Sequence, residues 1–253
     1  MQRPTPLSCS LPALAILLLA LPAQAEQATW SVSTGLRLWS NEWEANSFPY
    51  ASYLPGNGSQ PQRQVVAKMR SDAEIVPIPT LSLRYGNWIL NGSAAMEREF
   101  RFNDNLGTLY ASRREQDINL GYFFAPQFNV GVGYKRLLWD AVNIDGPTLS
   151  VSGAAPLDTH LALYGGAAIG ALKTRASNLP NSLSTRYFVS EVGLTYNLAG
   201  ISPRLSSVSG LFGYRMQKLT VHRFPLADSA GGRYTSSISD FTSGPVAGLT
   251  LRF

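Results

Sequence analysis

The chain has 253 residues, 45% of them apolar and only 15% charged, with a mean hydropathy of −0.03. Disorder requires low hydrophobicity and high charge, and a multi-span helical membrane protein requires several apolar runs of about 20 residues. Both are excluded, and an even mixture of apolar and neutral polar residues along the chain is what alternating β-structure produces.

Residues 1–25 read as a secretory signal peptide. Arg3 supplies the positive start, Leu11–Ala23 the apolar stretch and Ala23-Gln24-Ala25 an A-x-A cleavage site. Cys9 precedes the apolar run, so it is not placed as a lipid-modified cysteine would be. The remaining chain, 26–253, is expected to form one domain without cysteine or disulfide. Without Arg3 it carries 20 Lys+Arg against 16 Asp+Glu, a modest excess that does not point to nucleic acid.

From Glu26 onward the apolar period is two. The expected strands cover 28–40, 66–85, 88–102, 109–123, 128–139, 147–154, 160–172, 186–198 and 205–218, with a tenth running to the C-terminus. Gly86-Asn87 is a tight-turn pair, because both residues tolerate positive φ. Phe124–Gln127, Ala155–Thr159 and Ala199–Pro203 are further short turns. The alternate connections (41–65, 103–108, 140–146, 173–185 and 219–235) are mostly longer and polar. Pro77, Pro79 and Pro245 fall inside strands, where proline removes a ladder hydrogen bond. They imply a bulge or a different register, and an eight-strand arrangement is the alternative to ten.

Counting back in twos from Phe253 gives Leu251, Leu249, Ala247 and Pro245 on one face. A terminal Phe on such a strand resembles the C-terminal signature of bacterial outer-membrane β-barrel proteins. The resemblance implies an all-β, antiparallel, up-and-down transmembrane barrel. Short turns and both termini would then face the periplasm, and longer loops the outside. It also implies outer-membrane lipids, lipopolysaccharide and the barrel-assembly machinery as partners. Aromatic residues support two interfacial girdles. Trp30, Tyr85, Trp88, Tyr122, Phe128, Tyr196 and Phe253 fall at the turn end, and Phe100, Tyr110, Tyr134, Tyr214 and Phe241 nearer the loops.

Parity assigns most strand charges to the lumen. The cations are Arg37, Lys68, Arg70, Arg84, Arg101, Arg113, Lys135, Arg215 and Arg252. The anions are Asp72, Glu74, Glu97, Glu99, Glu115, Asp117, Glu191 and Asp240. Interior ions must pair or be solvated, so either a salt-bridged plug or a narrow polar pathway satisfies the pattern. Inward glycines, among them Gly131, Gly133, Gly193, Gly213, Gly244 and Gly248, would leave space for the second. Arg98, Arg114 and Arg136 are the main outward exceptions, placed to contact lipopolysaccharide phosphates or to snorkel at the rim, and Arg186 and Lys218 also point out at the loop ends of their strands. Loop 41–65 carries Trp43, Phe48, Tyr50 and Tyr53, which would either anchor an extracellular ligand or fold down over the barrel.

Ten strands also resemble the omptin proteases, but their paired-Asp and Asp–His site has no counterpart. Loop 103–108 offers only Asp104, and loop 173–184 holds neither Asp nor His. His160 falls at the periplasmic end. His222 falls near a loop, with Asp228 and Asp240 close in sequence. No cofactor, metal cluster or phosphate-binding glycine loop is legible. The sequence therefore favours a non-enzymatic barrel serving envelope integrity and surface interaction. The alternatives are a narrow porin-like channel for hydrophilic solutes and a rim hydrolase using His222.

Overall fold

The computed structural model describes residues 30–45, 51–53, 64–66, 68–104, 107–140, 142–176, 181–202, 205–227 and 233–253. Its strands, in chain order, are β1 (Trp30–Ala45), β2 (Ala51–Tyr53), β3 (Gln64–Val66), β4 (Met69–Arg70), β5 (Glu74–Tyr85), β6 (Trp88–Asp104) and β7 (Gly107–Ala125). They continue with β8 (Phe128–Trp139), β9 (Val142–Pro156), β10 (Leu161–Ala176), β11 (Leu183–Ser202), β12 (Leu205–Ala227) and β13 (Arg233–Arg252).

β5 to β13 pair as sequential antiparallel neighbours, β5 pairs back with β1, and β1 pairs with β13. Closure of β1 on β13, from Ser33↔Arg252 to Ala45↔Asp240, makes a ten-strand barrel. β4 extends the edge of β5 along β1, and β2 and β3 form a separate hairpin. Ten strands rather than eight follow from the pairing. Closure leaves no unpaired edge, which a spanning sheet in lipid cannot tolerate.

The turns behave as their residues require. Gly86 has φ 54°, the left-handed conformation expected at the tight β5–β6 turn. At the β9–β10 turn the Asp158 carboxylate accepts the backbone N–H of His160 at 2.6 Å and of Leu161 at 2.7 Å. These two bonds, His160 first, hold its carboxyl below the usual range.

The prolines coincide with gaps in the ladders. Pro77 and Pro79 face Leu38 and Leu36 of β1, whereas pairing of β5 with β6 begins only at Thr80↔Ser93. Above that split, Ser71 bridges to Phe102, and its N–H donates to the Trp43 carbonyl. At Pro245 the β1–β13 ladder skips from Trp39↔Val246 to Glu42↔Ser243. Each missing N–H thus lies where no partner is called for.

The distribution of side chains is inverted relative to a soluble protein. Phe212, Leu249, Ile118 and Val132 are among many exposed outward apolar residues, while Lys135, Glu115 and Arg113 are buried inside. A water-soluble fold would not present this much apolar surface, so the outer face is built for lipid. At the turn end Trp30 packs on Tyr85 with centroids 4.6 Å apart, and Trp88 on Tyr122 at 5.0 Å, forming the expected aromatic girdle.

Candidate functional site

The lumen is the candidate site, and it has three levels. The middle level is an ion network on β7 and β8. Glu115 accepts from Arg113 Nη2 at 2.6 Å, Lys135 Nζ at 2.7 Å and Gln217 Nε2 at 3.0 Å. Lys135 also reaches Asp117 at 3.0 Å and lies 5.0 Å from the centroid of the Tyr187 ring. Two cations and two anions balance, which is what burial of charge demands.

The loop-end level is aromatic. Trp43 meets Phe100, Phe102 and Trp139 with centroids 5.4, 5.3 and 4.9 Å apart. Trp39, Leu137, Ile144, Leu172, Leu219 and Val246 are buried with them. The Arg113 guanidinium lies 5.1 Å from the centroid of the Trp43 ring and joins the two levels.

The turn-end level draws on four strands. Glu191 of β11 accepts from Arg37 of β1 at 3.0 Å, Arg215 of β12 at 3.3 Å and the Tyr164 hydroxyl of β10 at 2.9 Å. A Cβ on Gly193 would meet Tyr164 at 2.8 Å, and one on Gly213 would meet its hydroxyl at 2.6 Å. These inward glycines seat the Tyr164 ring. Arg84 sits at the same end, 4.4 Å from the centroid of the Phe123 ring.

Several sequence expectations are corrected. Trp43 is not a loop aromatic. β1 continues to Ala45, and Trp43 is wholly buried in the lumen. Phe48 and Tyr50 lie outside the described residues, and Tyr53 falls in β2. A β-bulge opposes Met96 and Glu97 to the single residue Arg114, moving the register from Ala95↔Glu115 to Arg98↔Arg113. Beyond it every side chain of β6 changes face. Phe100 and Phe102 therefore enter the core, while Glu99 and Arg101 are exposed and leave the lumen network.

Glu97 is also outside, 3.8 Å from Arg114. Arg98 shifts to the register of Arg113, away from the outward pair Arg114 and Arg136. Its Nε donates to the Ile75 carbonyl at 3.1 Å across the β5–β6 split. Arg70 and Lys68 are exposed and pair with Glu42 and Glu44 on the outer side of β1. Asp240 stays buried, in register with Ala45 and Leu219.

His222 flanks a second register shift, between Val221 and Phe224, next to Arg223 at φ 57°. Its Nδ1 lies 3.4 Å from Ser237 Oγ, and its Nε2 is buried without a hydrogen-bond partner. Asp228 lies outside the described residues. His160 stays at the turn end, its Nδ1 3.0 Å from the Asn197 carbonyl.

Tyr164, Tyr187, Gln217 and the Trp39–Trp43 pair were not singled out as lumen residues. Parity within 28–40 already puts Trp39 on the Arg37 face, and extending the period of two past residue 40 adds Trp43.

No protein-family model and no curated protein matches the chain. Solved structures similar to it include the outer-membrane protease OmpT of Escherichia coli, at 11% identity and TM-score 0.46, covering 93% of this chain and 100% of that one. The outer-membrane protein AlkL is 14% identical with TM-score 0.36, covering 100% and 97%. The toluene transporter TodX of Pseudomonas putida is 10% identical with TM-score 0.30, covering 93% and 92%. By its closed up-and-down sheet, lipid-facing exterior and ion-paired interior, the chain is a ten-strand antiparallel β-barrel built to sit in lipid.

Proposed function

We propose that this protein is a closed, non-enzymatic barrel of the outer membrane, serving envelope integrity and presenting its loop end for surface contact. The observation that carries the reading is the filled lumen. Trp39, Trp43, Phe100, Phe102 and Trp139 occupy its loop half, above the buried Glu115–Lys135 pair. A ten-strand barrel is near the size at which side chains alone fill the interior. β12, at 23 residues, is about twice the length a spanning strand needs, so the β12–β13 hairpin extends well beyond the apolar band.

Outward contacts with lipid phosphate belong to the same reading. Arg114 and Arg136 keep their outward places, and Arg186 and Lys218 line an outer groove of about 690 Å³ walled by Val132, Leu149, Ile169 and Phe188. Apolar walls beside two cations suit an acyl chain and its phosphate, such as lipopolysaccharide offers. The deciding experiment is single-channel recording of refolded protein in a planar bilayer. Silence is expected, and steady ohmic conductance would replace this reading with the narrow channel.

A further inference from the structure

The filling stops short of the turn end. There the lumen holds a cavity of about 620 Å³, and the turn residues Pro126, Gln127 and Pro156 belong to its lining. Its size is that of a small-molecule site, commonly about 300–1,000 Å³. Arg37, Tyr164, Glu191 and Arg215 line it together with Asn129 and Ser152.

The charge around this space is unbalanced. Two guanidiniums share one carboxylate, since Arg37 and Arg215 both pair with Glu191. Arg84 adds a third cation above Phe123, itself a lining residue. Glu191 is the carboxylate in the lining among the described residues. Glu115 and Asp117 lie outside the lining and pair with Lys135.

Hydrogen-bond accounting points the same way. A guanidinium carries five N–H donors. Arg37 and Arg215 each spend one on Glu191, and the Nε of each is buried with no acceptor. Glu191 already accepts three donors, Tyr164 included. The site therefore lacks acceptors and negative charge. Buried donors left unmatched are costly, and an oxyanion supplies what is missing.

We propose that the turn-end cavity binds a small organic oxyanion, carboxylate- or phosphate-bearing, gripped by Arg37 and Arg215. Glu191 and Tyr164 hold the two guanidiniums apart and orient them, and the hydroxyl and amide groups of Ser152 and Asn129 meet the remainder of the ligand. The inference goes beyond the closed-barrel reading, because binding at this end requires no passage through the aromatic level.

The test uses the full barrel refolded in detergent micelles and titrated calorimetrically with citrate and, separately, with inorganic phosphate. Chloride at matched ionic strength is the control. Trp39, whose ring centroid is 5.1 Å from the Arg215 guanidinium, gives an independent fluorescence readout. Saturable binding of at least one probe is expected, with chloride inert. The stronger probe identifies the oxyanion group. Arg215→Gln should weaken binding about tenfold or more, the loss of a charge-assisted contact. Ala162→Trp, at a lining position next to the β9–β10 turn, should weaken it by obstruction and covers the case in which the arginine variant does not fold. Heat-dependent gel migration verifies folding of each variant. Absence of saturable binding in the native barrel, or native affinity in a folded Ala162→Trp or Arg215→Gln barrel, overturns the proposal.

Discussion

Lys135 Nζ lies 2.7 Å from Glu115 Oε2 inside the barrel, and neither side chain is open to solvent. The two are on adjacent strands, Lys135 directly across from Asp117 and diagonal to Glu115. Glu115 is shared with Arg113 and Lys135 with Asp117, so removing Lys135 leaves two carboxylates against one cation at this level. Lys135→Met should therefore cost about 3–5 kcal/mol, and adding Glu115→Leu should not recover that loss, because buried Arg113 would then lack its carboxylate. Urea unfolding in detergent measures both. A single variant as stable as the native barrel would show that water already reaches this level.

The aromatic level predicts a gated conductance. Trp43 and Trp139 are packed edge to face with centroids 4.9 Å apart, in the loop half of the lumen. Replacing both by Ala should destabilise the barrel by several kcal/mol, at about 3–5 for each large aromatic removed from a core. The double variant should also pass ions where the native protein passes none. If the doubly truncated, folded barrel stays silent in the bilayer, the seal lies elsewhere.

Arg98 separates a structural arginine from the lipid-facing ones. Its Nε serves the Ile75 carbonyl where β5 and β6 part, so Arg98→Ala should cost about 1 kcal/mol and leave lipid binding unchanged. Arg186→Ala with Lys218→Ala should lower the lipopolysaccharide that co-purifies with the barrel while leaving stability nearly unaltered. Equal lipopolysaccharide retention in that pair would remove the outer groove as a phosphate contact.

The β9–β10 turn should respond to acid. Asp158 accepts two backbone N–H bonds, and its carboxyl is held below its ordinary value by them. A depressed folded-state value contributes stability above the unfolded value near 4, and that contribution is lost as pH falls further. Asp158→Ala should accordingly lower the melting temperature at neutral pH, with the difference from the native barrel shrinking below about pH 4. A difference independent of pH would mean that the carboxylate is not the group that caps this turn.

The sequence by itself determined the alternating strand pattern, the Gly86-Asn87 turn and the facing of Arg113, Glu115, Lys135 and Glu191, while the count of ten rather than eight came from the pairing. These are local properties, since the two-residue period of a strand is carried by the residues themselves. Tertiary structure decided what the period cannot encode. The bulge at Met96–Glu97 reverses the faces of Phe100 and Arg101, and a single inserted residue leaves no mark on an alternating pattern that contains charges and aromatics on both faces. Arg37 meets Glu191 from 154 positions away, and only closure of β1 on β13 sets that distance. The composition called for alternating β-structure, and the terminal Phe strand resembled that of a lipid-facing barrel. The three-dimensional pairing determined that buried aromatic side chains gather at its loop end and that a cavity lined by Arg37 and Arg215 lies at its turn end.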